Sequence, residues 1–193
     1  MKKLVFSFLV VAHLCCKNNS VNHSDHKHQS RKGEEVVSNR KENFSPSKYA
    51  MTMIDGAHIH IDYSSPSVRG RIIFGGLLAF GEIWQSGAHN ATWISTNKDL
   101  LINDNLLKAG KYAFFTVPNK EFWTIIFNKN WKQHGKDEYN QADDVFRFDV
   151  KPKISEQVKE NLTYKVEKIG NQQGTISLSW EKITISFPFF VSN

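Results

Sequence analysis

Residues 57–63 read Ala-His-Ile-His-Ile-Asp-Tyr, with apolar and polar side chains in strict alternation. Successive side chains of a β-strand point to opposite faces, so Ile59, Ile61 and Tyr63 would share one face and the polar residues the other. Such alternation is typical of a strand with one buried face. The stretch is therefore predicted to be a strand that packs its apolar side on a core.

Comparable runs recur along the chain and predict further strands at 71–74, 91–96, 111–117, 123–128, 145–150, 162–169, 175–180 and 183–187. Turn residues such as Asn103-Asp104-Asn105 separate some of them. Helical periodicity is scarce, and a turn or two of helix is predicted only at 155–162, from a Ser N-cap. Many short strands within one domain's length predict a single all-β domain over 45–193, an antiparallel β-sandwich or flattened barrel.

The last two predicted strands face the core with opposite parity. Ile176, Leu178 and Trp180 occupy even positions, whereas the next apolar residues occupy odd positions. A bulge or tight bend at Glu181-Lys182 would keep both sets facing the core. The predicted core contains Ile59, Ile61, Trp84, Tyr112, Phe114, Ile125, Phe127, Leu178, Trp180 and Ile185.

A region dense in glycine, arginine and aromatic residues contains Asp62-Tyr63-Ser64-Ser65-Pro66-Ser67, Gly70-Arg71, Phe74-Gly75 and Trp84-Gln85-Ser86-Gly87-Ala88-His89-Asn90-Ala91-Thr92. It resembles the signature of the bacterial family called domain of unknown function 2911. The likeness extends to Ala109-Gly110-Lys111-Tyr112 and to the closing Leu178-Ser179-Trp180-Glu181. Ser65, Gln85 and His89 stand where the family usually has arginine, arginine and asparagine. The resemblance implies no settled activity.

The amino terminus is typical of an exported lipoprotein. Lys2 and Lys3 precede an apolar run that is too short for a bilayer span of roughly 20 residues but suits a secretory signal. The only two cysteines, Cys15 and Cys16, end that run. Residues 1–16 are therefore predicted to be a lipoprotein-type signal peptide with lipidation at Cys16, placing the protein in the cell envelope as a membrane-anchored lipoprotein of the outer membrane. The alternative is a plain cleaved signal with incidental cysteines.

Residues 17–44 contain almost no large apolar side chain, so they are predicted to be a disordered tether. His23, His26 and His28 lie within it and could hold copper or zinc loosely, or could simply belong to a polar linker. The formal net charge of +6 suits anionic lipid or polysaccharide surfaces. No helix-turn-helix, zinc-finger or RNA-stacking motif is present, so nucleic acid is not an expected partner.

Two histidines lie on the polar face of the predicted strand at 57–63. His58 and His60 would project together, with Asp62 as a third ligand or an orienting acceptor. His89 or His134 would have to supply a further imidazole. A zinc or copper site at His58, His60 and His89 is one interpretation, and a solvent-facing strand surface is the other.

The signature region also offers a ligand site. Arg69 and Arg71 could bind a carboxylate, phosphate or sulfate, or could pair with a nearby acid to hold the turn. Aromatic and amide side chains close in sequence would suit a sugar ring or planar molecule, although the same aromatics could fill the core. The predicted ligand-binding residues are Asp62, Tyr63, Arg69, Arg71, Trp84, Gln85, His89, Asn90 and Thr92.

Nucleophilic catalysis has little support, because the chain lacks a Gly-x-Ser-x-Gly elbow and has no cysteine beyond Cys16. The sequence thus favours an envelope binding module for a small ligand or metal ion over an enzyme. The alternatives are an envelope hydrolase that uses the region of Asp62, Arg71, Trp84 and His89, and a purely structural envelope component.

Overall fold

The structure, a computed structural model, describes residues 45–192, which belong to one compact unit. Ten strands account for most of this region, and the described part of the chain contains a single short 3-10 helix, Gln141–Asp143, and no α-helix. The strands are β1 (Ser47–Ile54), β2 (Ala57–Ser64), β3 (Trp93–Thr96), β4 (Leu100–Ile102), β5 (Asn105–Leu107), β6 (Gly110–Val117), β7 (Trp123–Asn128), β8 (Asp144–Val150), β9 (Lys153–Lys168) and β10 (Gln173–Val191).

These strands form two antiparallel sheets. The larger has the order β1-β2-β3-β6-β7-β8, and the smaller has the order β5-β4-β10-β9. The sheets do not close into a barrel, so the predicted β-sandwich is confirmed and the flattened-barrel alternative is wrong. Within residues 45–192 there is no helix with the length and apolarity to cross a membrane.

The core lies between the inner faces of the two sheets. In β2 the residues Ala57, Ile59, Ile61 and Tyr63 are buried and the residues between them are half-buried, as the alternation predicted. Nine of the ten predicted core residues are buried, and the tenth, Tyr112, is partly buried against the same cluster.

The predicted bend in β10 is also present. The register of β10 against β9 shifts on both sides of Glu181, which has a φ of 53°. This bulge lets Trp180 and Ile185 both face the core despite their opposite parity.

Two secondary-structure predictions are wrong. Residues 155–162, predicted to be helical, belong to β9, because pairing with β10 keeps them extended. Residues 71–74, predicted to be a strand, form turns and a single bridge. The strands β1, β4 and β5 were not predicted. The predictions for residues 1–44, namely the signal peptide, the lipidated Cys16 and the tether, lie outside the described residues.

Candidate functional site

The signature region folds into a buried corner around Ser86. The main-chain oxygen of Ser86 accepts hydrogen bonds from the Tyr164 hydroxyl at 2.7 Å and from the Thr92 hydroxyl at 3.0 Å. The Ser86 hydroxyl donates to Thr116 Oγ1 at 3.0 Å, and Trp84 Nε1 donates to the Gly87 oxygen at 3.0 Å. These polar groups satisfy one another inside the protein, so much of the signature specifies the fold.

Two of the predicted ligand residues belong to this corner. Thr92 is fully buried, and Tyr63 is 5% exposed with its hydroxyl accepting from the Tyr164 main-chain nitrogen at 3.3 Å. Burial raises the pKa of Tyr63, and it raises the pKa of Tyr164 further. Both hydroxyls therefore stay protonated across the physiological range, and neither side chain faces a cleft.

Trp84 is part of the core rather than an exposed stacking platform. Only 4% of it is exposed, and its indole stacks on that of Trp180 with ring centroids 5.7 Å apart and planes 25° apart. Phe74 and Trp123 meet the Trp84 ring edge to face. The tryptophan pair instead forms part of the lining of a surface cleft.

That cleft has a volume of about 360 Å³ and is here called the arginine cleft. It brings together five of the predicted ligand residues, namely Arg69, Arg71, Trp84, Gln85 and His89, and adds Leu77, Leu78 and Trp180. None of the lining residues, all of which lie in the described region, is acidic. The lining therefore combines positive charge and hydrogen-bond donors with two tryptophan side chains.

Arg71 is held by its own turn. Its Nε donates to the Val68 oxygen at 3.0 Å, and its Nη2 donates to the Ser67 oxygen at 2.7 Å. The side chain is nevertheless exposed, and a guanidinium has five donor hydrogens, so these two bonds leave others for a ligand. The main-chain nitrogen of Arg69 donates to Glu160 Oε1 at 2.9 Å, which anchors the turn to β9.

Trp180 carries an unsatisfied donor. The residue is 1% exposed, and its indole Nε1 is buried without a hydrogen-bond partner among the described residues. An unpaired buried donor costs on the order of 1–3 kcal/mol, so such groups in native proteins call for an explanation. An acceptor group bound in the cleft that Trp180 lines is one such explanation.

The structure separates Asp62 and Asn90 from this cleft. Asp62 lies on the outer face of β2, where it acts electrostatically on His60 and Lys111. Asn90 lines a second cavity and forms a β-bridge with His134. Asp62 and Asn90 therefore do not join the other predicted residues on one surface. Strand alternation directs Asp62 away from the core, and the chain bends at His89 (φ 60°) just before Asn90.

The two histidines of β2 lie on an aromatic surface. His60 stacks between Tyr49, at 5.7 Å, and Trp93, at 5.2 Å, and its ring centroid is 6.1 Å from that of His58. Burial lowers the pKa of His60, and the nearby Asp62 opposes that shift. Residues 45–192 contain no group of three or more His, Cys, Asp or Glu side chains placed to hold a metal ion. The three-histidine site with His89 therefore stays a prediction without geometric support.

The family likeness includes Trp180, but sequence reasoning did not place it beside the signature region in space. Its alternation with Ile176 and Leu178 predicted burial but not which neighbours it would meet, because β10 is far from residues 69–89 in sequence. Leu77 and Leu78 gave no pattern that pointed to a site.

Comparison with known proteins is consistent with the resemblance noted in the sequence. No curated protein and no solved structure matches the chain. The family model described as "Protein of unknown function (DUF2911)" matches residues 45–189, which includes nearly all of the β-sandwich. The chain therefore belongs to the DUF2911 family.

Proposed function

We propose that the β-sandwich is a binding module whose arginine cleft takes a small anionic ligand, such as a carboxylate with an apolar portion. The observation that carries this proposal is a cleft lined by Arg69 and Arg71 and by no acidic residue of the described chain. Trp180, whose buried indole Nε1 has no hydrogen-bond partner among the described residues, also lines this cleft. Guanidinium and indole groups both donate hydrogen bonds, so an anionic acceptor complements them. Leu77 and Leu78 would contact the apolar portion.

This ligand class has more support than the alternatives. A metal ion would need a cluster of ligating side chains, and residues 45–192 provide none. A hydrolase built on Asp62 and His89 would need both at one reacting centre, whereas Asp62 does not line the cleft that His89 lines. The residues lining the cleft can bind and orient an anion, and they include no carboxylate that would orient His89 as a general base.

Tryptophan NMR provides a direct test. The protein has five tryptophans, so a ¹⁵N-labelled sample has at most five indole N–H signals, and Trp180→Phe assigns one. We expect benzoate to shift the Trp180 indole signal saturably and benzamide, its neutral counterpart, to leave it unchanged. Arg71→Gln should weaken benzoate binding by about tenfold, equivalent to about 1.4 kcal/mol.

Lys120→Gln is the matched control, since it removes an exposed positive charge that does not line the cleft. It should leave benzoate binding unchanged, while thermal denaturation checks that Arg71→Gln still folds. A benzamide shift equal to that of benzoate, or equal losses in the two variants, would rule out charge recognition in the cleft.

We further propose that this module is exported and anchored in the envelope through a lipid on Cys16. Support comes from the apolar run that ends in Cys15-Cys16 and from the polar segment 17–44 that would act as a tether. More than one acyl chain is needed for stable anchoring, which the diacylglyceryl modification of a lipoprotein supplies. Mass spectrometry of the mature amino terminus should find that group on Cys16. Cys16→Ser should release the protein from the membrane fraction, and an unmodified mature terminus would contradict the proposal.

A further inference from the structure

A second cavity shares no lining residue with the arginine cleft. It has a volume of about 280 Å³ and is here called the indole pocket; its lining includes Asn90, Trp93, Trp131, Gln133, His134 and Glu138. Two chain segments form its walls and are joined by main-chain hydrogen bonds, Ala91 nitrogen to Gln133 oxygen at 3.1 Å and Gly135 nitrogen to His89 oxygen at 2.7 Å. The pocket is therefore built into the fold rather than left between two unconnected loops.

Lys111 fixes the two indoles of the pocket. Its Nζ lies 3.2 Å from the ring centroid of Trp93 and 3.6 Å from that of Trp131, so the ammonium contacts both rings. Burial lowers the pKa of Lys111, and Asp62 opposes the shift. Cation–π contacts of this kind contribute about 0.5–2 kcal/mol each. The protein's own cation thus occupies the position that an external ammonium ion would take between these rings.

Gln133 leaves an acceptor unused in the pocket wall. The residue is 6% exposed, and its Nε2 donates to the Asn130 oxygen at 2.6 Å. Its Oε1 is buried without a hydrogen-bond partner among the described residues. Asn90, His134 and Glu138 are exposed at the same pocket, and His134 Nδ1 lies 3.0 Å from Asp137 Oδ2. The lining therefore combines indole surfaces with both donors and acceptors.

The charges around the pocket select among ligand classes. Lys111 and Lys132 disfavour a cation, and Glu138 disfavours an anion. A neutral polyhydroxylated ring meets neither penalty, since its hydroxyls both donate and accept hydrogen bonds and its C–H face packs on aromatic surfaces. The volume lies just below the roughly 300–1,000 Å³ of sites for drug-sized ligands, which suits a single ring. We propose that the indole pocket binds one ring of a neutral saccharide.

The test uses the full-length protein and the tryptophan indole signals, with Trp93→Phe and Trp131→Phe for assignment. The probes are methyl β-glucopyranoside and methyl N-acetyl-β-glucosaminide, with tetramethylammonium chloride as the cationic comparison. We expect at least one glycoside to shift the Trp131 signal saturably without moving that of Trp180, and tetramethylammonium to have no such effect. Benzoate binding is read on the Trp180 signal and glycoside binding on the Trp131 signal. The two proposals can therefore be tested, and can fail, independently.

Two variants and a matched control complete the test. Trp131→Ala and Glu138→Gln should each weaken glycoside binding by about tenfold or more. Binding to Trp131→Ala is read on the Trp93 indole signal, because the variant lacks the Trp131 signal. The exposed position of Glu138 makes the second variant compatible with folding. Phe122→Ala removes a 51% exposed aromatic side chain that does not line the pocket, and it should leave binding unchanged. The proposal is overturned if neither glycoside moves the Trp131 signal, if tetramethylammonium moves it more strongly, or if Phe122→Ala weakens binding as much as Glu138→Gln.

Discussion

The Ser86 corner makes a quantitative prediction about Gly87. A Cβ atom at this position would lie 2.7 Å from Thr92 Oγ1 and 3.3 Å from the Ser64 oxygen. Thr92 cannot simply move aside, because its hydroxyl donates to the Ser86 oxygen. Gly87→Ala should therefore lower the free energy of unfolding by about 1–3 kcal/mol, the usual cost of overpacking.

Thr92→Ala should reduce the same free energy by about 2 kcal/mol, from one lost hydrogen bond and one lost buried methyl group. It also removes the Oγ1 atom that the Gly87→Ala methyl group would meet. In the Thr92→Ala background, Gly87→Ala should therefore cost about 1 kcal/mol less than in the wild type. The remaining cost reflects the contact with the Ser64 oxygen.

Urea denaturation followed by tryptophan fluorescence measures all four proteins of this cycle. Gly170→Ala combined with Thr92→Ala is the control, since the neighbours of a Cβ at Gly170 belong to Gln173 alone and the two costs should add. If the Gly87 and Thr92 costs also add to within about 0.5 kcal/mol, the steric reasoning for the signature glycine is refuted.

Three further outcomes follow from packing and titration. Gly174→Ala should lower the thermal midpoint markedly, because its Cβ would lie 2.4 Å from Phe189 Cζ and 2.5 Å from Ile54 Cδ1 inside the core; an unchanged midpoint would contradict that packing. Burial and the hydrogen bond donated to Asp144 raise the pKa of Tyr139 to about 12. Between pH 10 and 12 the Tyr139 hydroxyl therefore keeps its proton in the folded protein and loses it in the unfolded chain, so the free energy of unfolding should fall over this range. Tyr139→Phe should make that fall smaller in denaturation curves measured at each pH. Burial lowers the pKa of His60 below the ordinary histidine value of 6.5, so the folded protein should lose stability as the pH drops through 6.5. An NMR titration of the His60 imidazole with a midpoint at or above 6.5 would contradict the stacked environment.

The local pattern of apolar and polar residues was sufficient to predict strands that have one buried face. The alternation of β2 and the parity change at Glu181 follow from side-chain periodicity, and both are present in the structure. β1 escaped prediction because Tyr49, Met51 and Met53 are apolar yet exposed, which obscures its alternation. The segment 155–162 is exposed on both faces until Leu162, so no apolar periodicity marks it as a strand, and its pairing with β10 is a tertiary effect.

The candidate site was likewise predictable from the sequence only in part. Residue types within the signature predicted the arginine cleft in part, because Arg69, Arg71, Gln85 and His89 are close in sequence and meet on one surface. A buried tryptophan and a ligand-stacking tryptophan have the same residue type, so the sequence predicted Trp84 both as a core residue and as a ligand-binding residue. It could not predict that Trp180 would line the same cleft. The pairing of Lys111 with Trp93 and Trp131 likewise depends on how β3, β6 and a distant loop meet.

The position of β10 has a consequence for how this protein reaches its folded state. The strand lies between β4 and β9 in the smaller sheet, and it is the last strand of the described chain. Before β10 is synthesised, no strand connects β4 to β9 in the smaller sheet. One side of the core also lacks Trp180, Ile185, Phe187 and Phe189. Pairings between distant segments are slow to form, because loop closure must precede the contacts that stabilise them. The smaller sheet and the core therefore become complete only after synthesis has passed residue 191, and until then the apolar side chains that β10 covers are open to chaperones.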